Sequence, residues 1–93
     1  MRRKWITEGY GGEPYEYLSI TEHIVNARGV CRGRPTFKYT RIEPSGALDC
    51  LKEGESIESI IERYRNRVSR EAIEEAQEAY LDGRLKKYNR NYK

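Results

Sequence analysis

Two amphipathic helices joined by a short basic turn, between Gly54 and Gly83, constrain the fold of this chain more than any other feature. Their apolar residues recur at the spacing of one helix face: Ile57, Ile60, Ile61 and Tyr64 in the first, and Ala72, Ile73, Ala76 and Tyr80 in the second. Ser56 and Ser69 precede the two stripes as N-caps, because a serine hydroxyl can accept from an unpaired amide of the first turn. Two short helices cannot bury both stripes alone, so a third element must cover them.

The residues before this pair predict short strands and then a third helix. Glycines and a proline at positions 9, 11, 12 and 14 are expected to interrupt any regular element near the start of the chain. β-Forming residues predict a strand near 16–20 and a short strand over 36–41, while 21–26 fits either an extended piece or a helix. Pro44 suits the first turn of a helix over 43–53, which Gly54 would end. The last two helices then stand in helix-turn-helix order.

Charge is segregated along the chain, although the formal net charge is only +3. Between Gly54 and Gly83 there are eight carboxylates and four arginines, whereas the segments on either side are basic. Three runs of cations contain no acid: Arg2, Arg3 and Lys4; Arg28, Arg32, Arg34, Lys38 and Arg41; and Arg84, Lys86, Lys87, Arg90 and Lys93. For the middle of these runs, a solvated face is the simpler interpretation, and contact with nucleic acid is the alternative.

Length and composition predict one small domain with a thin core. The chain has 93 residues, of which 37% are hydrophobic, so we expect a homodimer to complete the core. A basic and glycine-rich arm is expected at 1–14, the domain itself at 15–83, and a basic tail at 84–93. No signal peptide and no apolar run of membrane length are evident, which predicts a cytoplasmic protein with no membrane contact.

Nothing in the spacing of reactive residues predicts an enzyme. Cys31 and Cys50 are expected to be reduced and mostly buried, and His23 is the single histidine, so no zinc spacing arises. A Cys–His nucleophilic pair stays open, although no neighbouring residue suggests thiol activation. We therefore expect no cofactor, no metal and no catalytic residue.

A set of short motifs in a fixed order resembles the domain of unknown function 433 family. The motifs are Gly33-Arg34-Pro35, Thr40-Arg41-Ile42, Gly54, Ser56-Ile57-Glu58 and Ser69-Arg70-Glu71-Ala72. The chain departs from the family pattern at Tyr39, where a glycine is usual, and it lacks both the Asp-Pro before the first motif and the proline that closes the second helix. Because a bulky residue does not easily take the positive φ available to glycine, the turn at Tyr39 is expected to differ.

The resemblance implies a fold and a function. It implies a helix-turn-helix-like domain of the winged-helix and homeodomain-like group, so the expected fold class is α+β, mainly α, with short N-terminal strands followed by a three-helix bundle. It also implies an antitoxin-like protein of the VapB type, which binds a PIN-like ribonuclease toxin and acts as an autoregulator on DNA. The alternative is a dimeric protein-interaction module that binds no DNA.

The residues favour DNA contact through the basic turn and not through the last helix. That helix carries Glu71, Glu74, Glu75 and Glu78, which phosphates would repel. The side chains expected to contact phosphate are Arg63, Arg65, Arg67, Ser69, Arg70, Arg34, Lys38 and Arg41, together with amides at the start of the helix. Intramolecular pairing with Glu62, Glu71 and Glu74 is an equal alternative for the arginines of the turn.

A protein partner fits the acidic helix better than DNA does. Its carboxylates can meet a basic toxin surface or the basic arm of a second subunit. The tail can lie on an acidic partner or on phosphates, and a solvated tail is the simplest alternative. The residues expected to contact a partner are Glu71, Glu74, Glu75 and Glu78, with Lys86, Lys87, Tyr88 and Arg90.

Overall fold

The chain folds as an antiparallel sheet followed by three helices, in the computed structural model, which describes residues 3–85. The strands are paired in chain order, β1-β2-β3-β4. They are β1 (Ile6–Tyr10), β2 (Glu13–Ser19), β3 (Ile24–Ala27) and β4 (Pro35–Phe37), and the helices are α1 (Pro44–Lys52), α2 (Ile57–Arg63) and α3 (Arg70–Leu81). The expected tail residues Lys86, Lys87, Tyr88 and Arg90 lie outside the described part of the chain.

The three predicted helices are confirmed, with the predicted starts. Pro44 occupies the first turn of α1, where no amide hydrogen is needed. The hydroxyls of Ser56 and Ser69 accept hydrogen bonds from the amides of Ser59 and Ala72, each at 3.1 Å. Both serines therefore cap their helices, and the sequence defines where α2 and α3 begin.

The prediction of a mainly α fold was wrong. Helix accounts for 37% and strand for 23% of the structure, so the fold is α+β with a complete four-stranded sheet, and not a three-helix bundle with a few short strands. The sheet is the third element that the two amphipathic stripes require.

The sheet is larger than expected because the glycines near the N-terminus form a hairpin. Gly11 and Gly12 have φ of 61° and 83°, and Tyr10 pairs with Glu13 across them. A two-residue loop with positive φ at both positions matches the twist of antiparallel strands. The expectation that these glycines interrupt regular structure was therefore wrong, and 24–27 is a strand and not a helix.

The helices cover one face of the sheet. Ile24 and Phe37, which are paired across β3 and β4, lie in one apolar core with the inner residues of all three helices. Ile60 and Ile73 are fully buried in this core. Burying such a side chain stabilises the fold by about 1.5–3 kcal/mol, so this face supplies most of the apolar stabilisation.

The opposite face of the sheet carries a tyrosine cluster, formed by Tyr10, Tyr15, Tyr17 and Tyr39. The rings of Tyr10 and Tyr39 stack with centroids 4.9 Å apart, and the ring of Tyr15 lies 5.8 and 5.1 Å from them. Tyr17 is buried beside Val25 and Ala27 in a second, smaller core. The aromatic rings therefore partly cover a face that has no helix against it.

Candidate functional site

The turn between α2 and α3 and the end of β4 form one concave surface, here called the turn surface. Lys38, Asn66, Arg67 and Ser69 line it, with His23 at its side, around a cavity of about 270 Å³. Lys38, Arg67 and Ser69 were predicted to contact phosphate, and the fold brings these three together although 28 residues separate the first two. The turn surface thus joins two of the basic segments at the start of α3.

The turn has a backbone conformation that presents its cations to solvent. Arg65 and Asn66 have φ of 55° and 61°, a left-handed pair that closes α2, and their amides donate to the carbonyls of Glu62 and Ile61. Arg65 and Arg67 are exposed, and neither side chain makes an ion pair within residues 3–85. These two arginines are therefore the cations of the turn that can meet an external anion.

Other predicted phosphate contacts are held by carboxylates of the same chain. Arg63 pairs with Glu55 at 2.8 Å, and Arg34 pairs with Glu43 at 3.0 Å. Arg70 pairs with Glu58 and, at 3.4 Å, with Glu74. Intramolecular pairing was one of the two interpretations of the turn arginines, and it is confirmed for Arg63 and Arg70. Of their partners, Glu74 was expected, whereas Glu55 and Glu58 were not. Arg41 is exposed and does not line the turn surface.

The exposed side of α3 is acidic, but one of its four glutamates faces inward. Glu71, Glu74 and Glu78 are exposed. Glu75 is different, because one of its oxygens accepts from the Thr21 hydroxyl at 2.6 Å and the His23 amide at 2.8 Å, and it lies 3.1 Å from His23 Nδ1. Burial raises the pKa of Glu75, yet the hydrogen bonds from Thr21 and His23 outweigh it and hold the pKa below its ordinary value.

An apolar groove lies where α1 meets the end of α3. Leu48 and Leu51 line one side, and Tyr80 and Leu81 line the other, around a volume of about 230 Å³. Leu81 is 79% exposed and Tyr80 is 36% exposed, so apolar surface at this side of the groove is open to solvent. Glu74 and Glu78 lie seven and three positions before Leu81, so helix periodicity places them on the side of α3 that carries this groove residue.

The tyrosine cluster was missed by sequence reasoning. Tyr15 and Tyr17 stand two apart in β2, which places both on one face, and this alternation was the available signal. Hydrogen bonds from Tyr39 and then Tyr17 lower the pKa of Glu8 at its centre. Lys38 lies over the rings of Tyr17 and Tyr39, at 4.8 and 5.2 Å from their centroids. The cluster thus connects to the turn surface through Lys38.

The reactive groups named from the sequence are not assembled. Cys31 Sγ lies against the Arg41 carbonyl at 3.4 Å, whereas His23 contacts Glu75. Burial, and to a smaller extent the nearby Glu43, raises the pKa of the Cys31 thiol. Burial is also the largest cause that raises the pKa of the Cys50 thiol. Glu22, His23 and Glu75 have candidate ligand atoms within 4.8 Å of one another, but Glu75 is already held by Thr21 and His23.

The chain is a small α+β domain with charged and apolar concave surfaces. The family model described as Protein of unknown function (DUF433) matches residues 24–79, more than half of the chain. The chain belongs to this family. The matched region runs from β3 to α3 and leaves out the N-terminal hairpin. No curated protein and no solved structure matches the chain. Within residues 3–85, no helix is long and apolar enough to cross a membrane.

Proposed function

We propose that this protein is an antitoxin-like binding protein that uses the N-terminal end and the acidic side of α3 for different partners. The N-terminal end, at the turn surface, contacts DNA phosphates, and the acidic side with the apolar groove binds a toxin, which the family resemblance implies is a PIN-like ribonuclease. The observation that carries the proposal is this division of α3 into a basic end and an acidic, partly apolar side.

The basic end supports contact with the DNA backbone and not insertion of a helix-turn-helix recognition helix into a groove. Arg67 and Lys38 line the turn surface at the start of α3, where the amides of the first turn favour anions, and the exposed Arg65 lies two residues before Arg67. The exposed glutamates that follow would be repelled by the phosphates lining a groove. Contacts to phosphate position a protein on the duplex but read no sequence directly, so we expect modest sequence preference.

The acidic side supports a protein partner with a basic surface. Glu74 and Glu78 are exposed and lie seven and three positions before Leu81, on the same side of α3 as this groove residue. Protein interfaces combine an apolar centre with a polar rim, and complementary charge speeds association. A second copy of this chain could occupy the same groove, and the homodimer stays a proposal of the same kind.

DNA binding is tested first with the protein and its own upstream duplex across a salt series. Arg65→Asn retains a residue that accepts the left-handed conformation, and Arg67→Gln removes the second charge of the turn. We expect the double variant to bind about tenfold more weakly and to reduce the salt dependence by about one unit per lost contact. The readout is the dissociation constant from a fluorescence titration.

The control for this test is Lys52→Gln, which removes one exposed charge from α1, away from the turn surface. If Lys52→Gln weakens DNA binding as much as the turn variants do, the turn is not the contact. If the wild-type protein does not bind the duplex at low salt, the DNA role is wrong, and the alternative of an interaction module without DNA binding gains support.

The toxin partner is tested by mixing the protein with the product of the neighbouring gene. We expect Glu74→Lys with Glu78→Lys to weaken the complex by about tenfold, because both charges change sign on the proposed face. Glu13→Lys, on the exposed hairpin, is the matched control. Calorimetry measures the affinity, and equal effects of the control and the α3 variant would remove α3 from the interface.

A further inference from the structure

A second groove, lined by the end of β2, by β3 and by the start of β4, brings together arginines from three distant parts of the chain. Arg3, Arg32, Arg34 and Arg84 line it, and Ile20 and Pro35 are among its apolar lining residues. Its volume is about 660 Å³. Each of the three basic runs of the sequence contributes at least one arginine, so tertiary structure concentrates positive charge that is dispersed along the chain. We call it the arginine groove.

Three of the four arginines are held in place by contacts with other side chains. Arg3 donates to the side chain of Asn26, whose own amide donates to the Gly33 carbonyl at 2.8 Å. Arg34 is held by Glu43, and Arg84 by Asp82 at 2.7 Å. Neither Glu43 nor Asp82 lines the groove. The carboxylates therefore fix two of the guanidinium groups without closing the groove to an anion.

The turn that carries two of these arginines has an unusual backbone. Cys31, Arg32 and Gly33 have φ of 48°, 57° and 79°, so a left-handed turn includes two residues other than glycine. Each such residue costs about 1–2 kcal/mol, and conformations of this kind concentrate at functional sites. The Arg32 side chain makes no hydrogen bond or ion pair to residues 3–85. The turn thus holds an uncompensated cation at the groove.

We propose that the arginine groove binds the phosphate of a nucleotide, with the sugar or base against Ile20. The planar fork of guanidinium matches phosphate oxygens, and within residues 3–85 neither Arg3 nor Arg32 has a carboxylate partner. The volume exceeds that of a phosphate alone and falls in the usual range of small-ligand sites. The groove shares no lining residue with the turn surface, so this proposal does not rest on the proposed function.

The test titrates isotope-labelled protein with adenosine monophosphate and follows the backbone amide signals. We expect shifts at Ser19, Gly33 and Arg84, and competition by inorganic phosphate at the same signals. Arg32→Asn keeps a residue suited to the left-handed position and is expected to weaken binding about tenfold, the loss typical of one charge-assisted hydrogen bond. Arg3→Gln removes a cation from another segment and is expected to act in the same direction.

Controls separate this site from a general effect of charge and from the turn surface. Lys52→Gln removes one exposed charge outside the groove and should leave the affinity unchanged. Equal affinities of adenosine and adenosine monophosphate would overturn the proposal, as would equal affinities of Arg32→Asn and Lys52→Gln. Loss of nucleotide binding in Arg32→Asn, with duplex binding still dependent on Arg65 and Arg67, would show that the two sites act separately.

Discussion

At the scale of single residues, Tyr39 shows how contacts can hold a side chain in a conformation that favours glycine. The motif pattern that the chain resembles implies glycine at this position, so the sequence predicted a different local turn. Tyr39 nevertheless adopts a φ of 67°. Its amide donates to the Tyr15 hydroxyl at 2.8 Å, its own hydroxyl donates to Glu8, and its ring stacks on Tyr10. These contacts offset a conformational cost of about 1–2 kcal/mol.

At position 39, a glycine variant is expected to be more stable than an alanine variant. Tyr39→Ala loses the tyrosine contacts and keeps the unfavourable φ, whereas Tyr39→Gly loses the contacts but relieves the conformation. We expect Tyr39→Ala to have a free energy of unfolding about 1 kcal/mol lower than Tyr39→Gly, measured by urea denaturation. Thr7, in the extended strand β1, is the control, and there glycine should be the less stable of the two.

If alanine at position 39 were as stable as glycine, the backbone there would not be left-handed in solution. That outcome would mean that Tyr39 follows the different turn expected from the sequence.

At the scale of elements, Glu75 connects α3 to the loop between β2 and β3. The loop donates a hydroxyl and an amide to one carboxylate oxygen, at 2.6 and 2.8 Å. Glu22 and His23 are the other titratable groups close to that carboxylate. A charged carboxylate accepts these hydrogen bonds more strongly than a neutral one, so the connection depends on pH.

The Glu75 carboxylate is therefore expected to make part of the free energy of unfolding depend on pH. Its pKa is lower in the folded protein than the usual value of about 4.3, because the hydrogen bonds favour the charged form against burial. The stabilisation is complete above the unfolded-state pKa and is lost as the pH falls through the folded-state pKa. Near neutral pH, Glu75→Gln should lower the free energy of unfolding by about 1–3 kcal/mol, and the difference from wild type should shrink below pH 4.

Urea denaturation of both proteins at several pH values measures this effect. Glu78→Gln, an exposed change on the same helix, should alter stability by less than about 0.5 kcal/mol at every pH. A difference between wild type and Glu75→Gln that stays constant from neutral to acid pH would contradict the role of the carboxylate charge.

At the scale of the whole molecule, the sheet has two faces with different roles. The helices bury Ile24 and Phe37 on one face. On the other face, Tyr17 and Val25 are buried in the smaller core, against which Tyr15 packs. The matched family region begins at β3, so the N-terminal hairpin adds two strands and most of the tyrosine cluster to it. The arginine groove also draws Arg3 and Arg84 from outside the matched region.

The helices could be predicted from the sequence because their signals are local. Apolar spacing, the caps Ser56 and Ser69, and Pro44 each act within one or two turns of the backbone. The same local logic would have predicted the hairpin at Gly11-Gly12, where the glycines were interpreted as breaks instead of as a turn.

Which charged side chains come into contact could not be predicted from the sequence. The pairing of Arg70 with Glu58, the inward position of Glu75 and the grouping of Lys38 with Arg67 depend on how the sheet and helices pack. A run of cations has the same composition whether its members face solvent, a carboxylate or each other. The arginine groove shows the physical reason. Its arginines line one groove although they are as many as 81 positions apart in the chain, and sequence periodicity reports only contacts within one helix or strand.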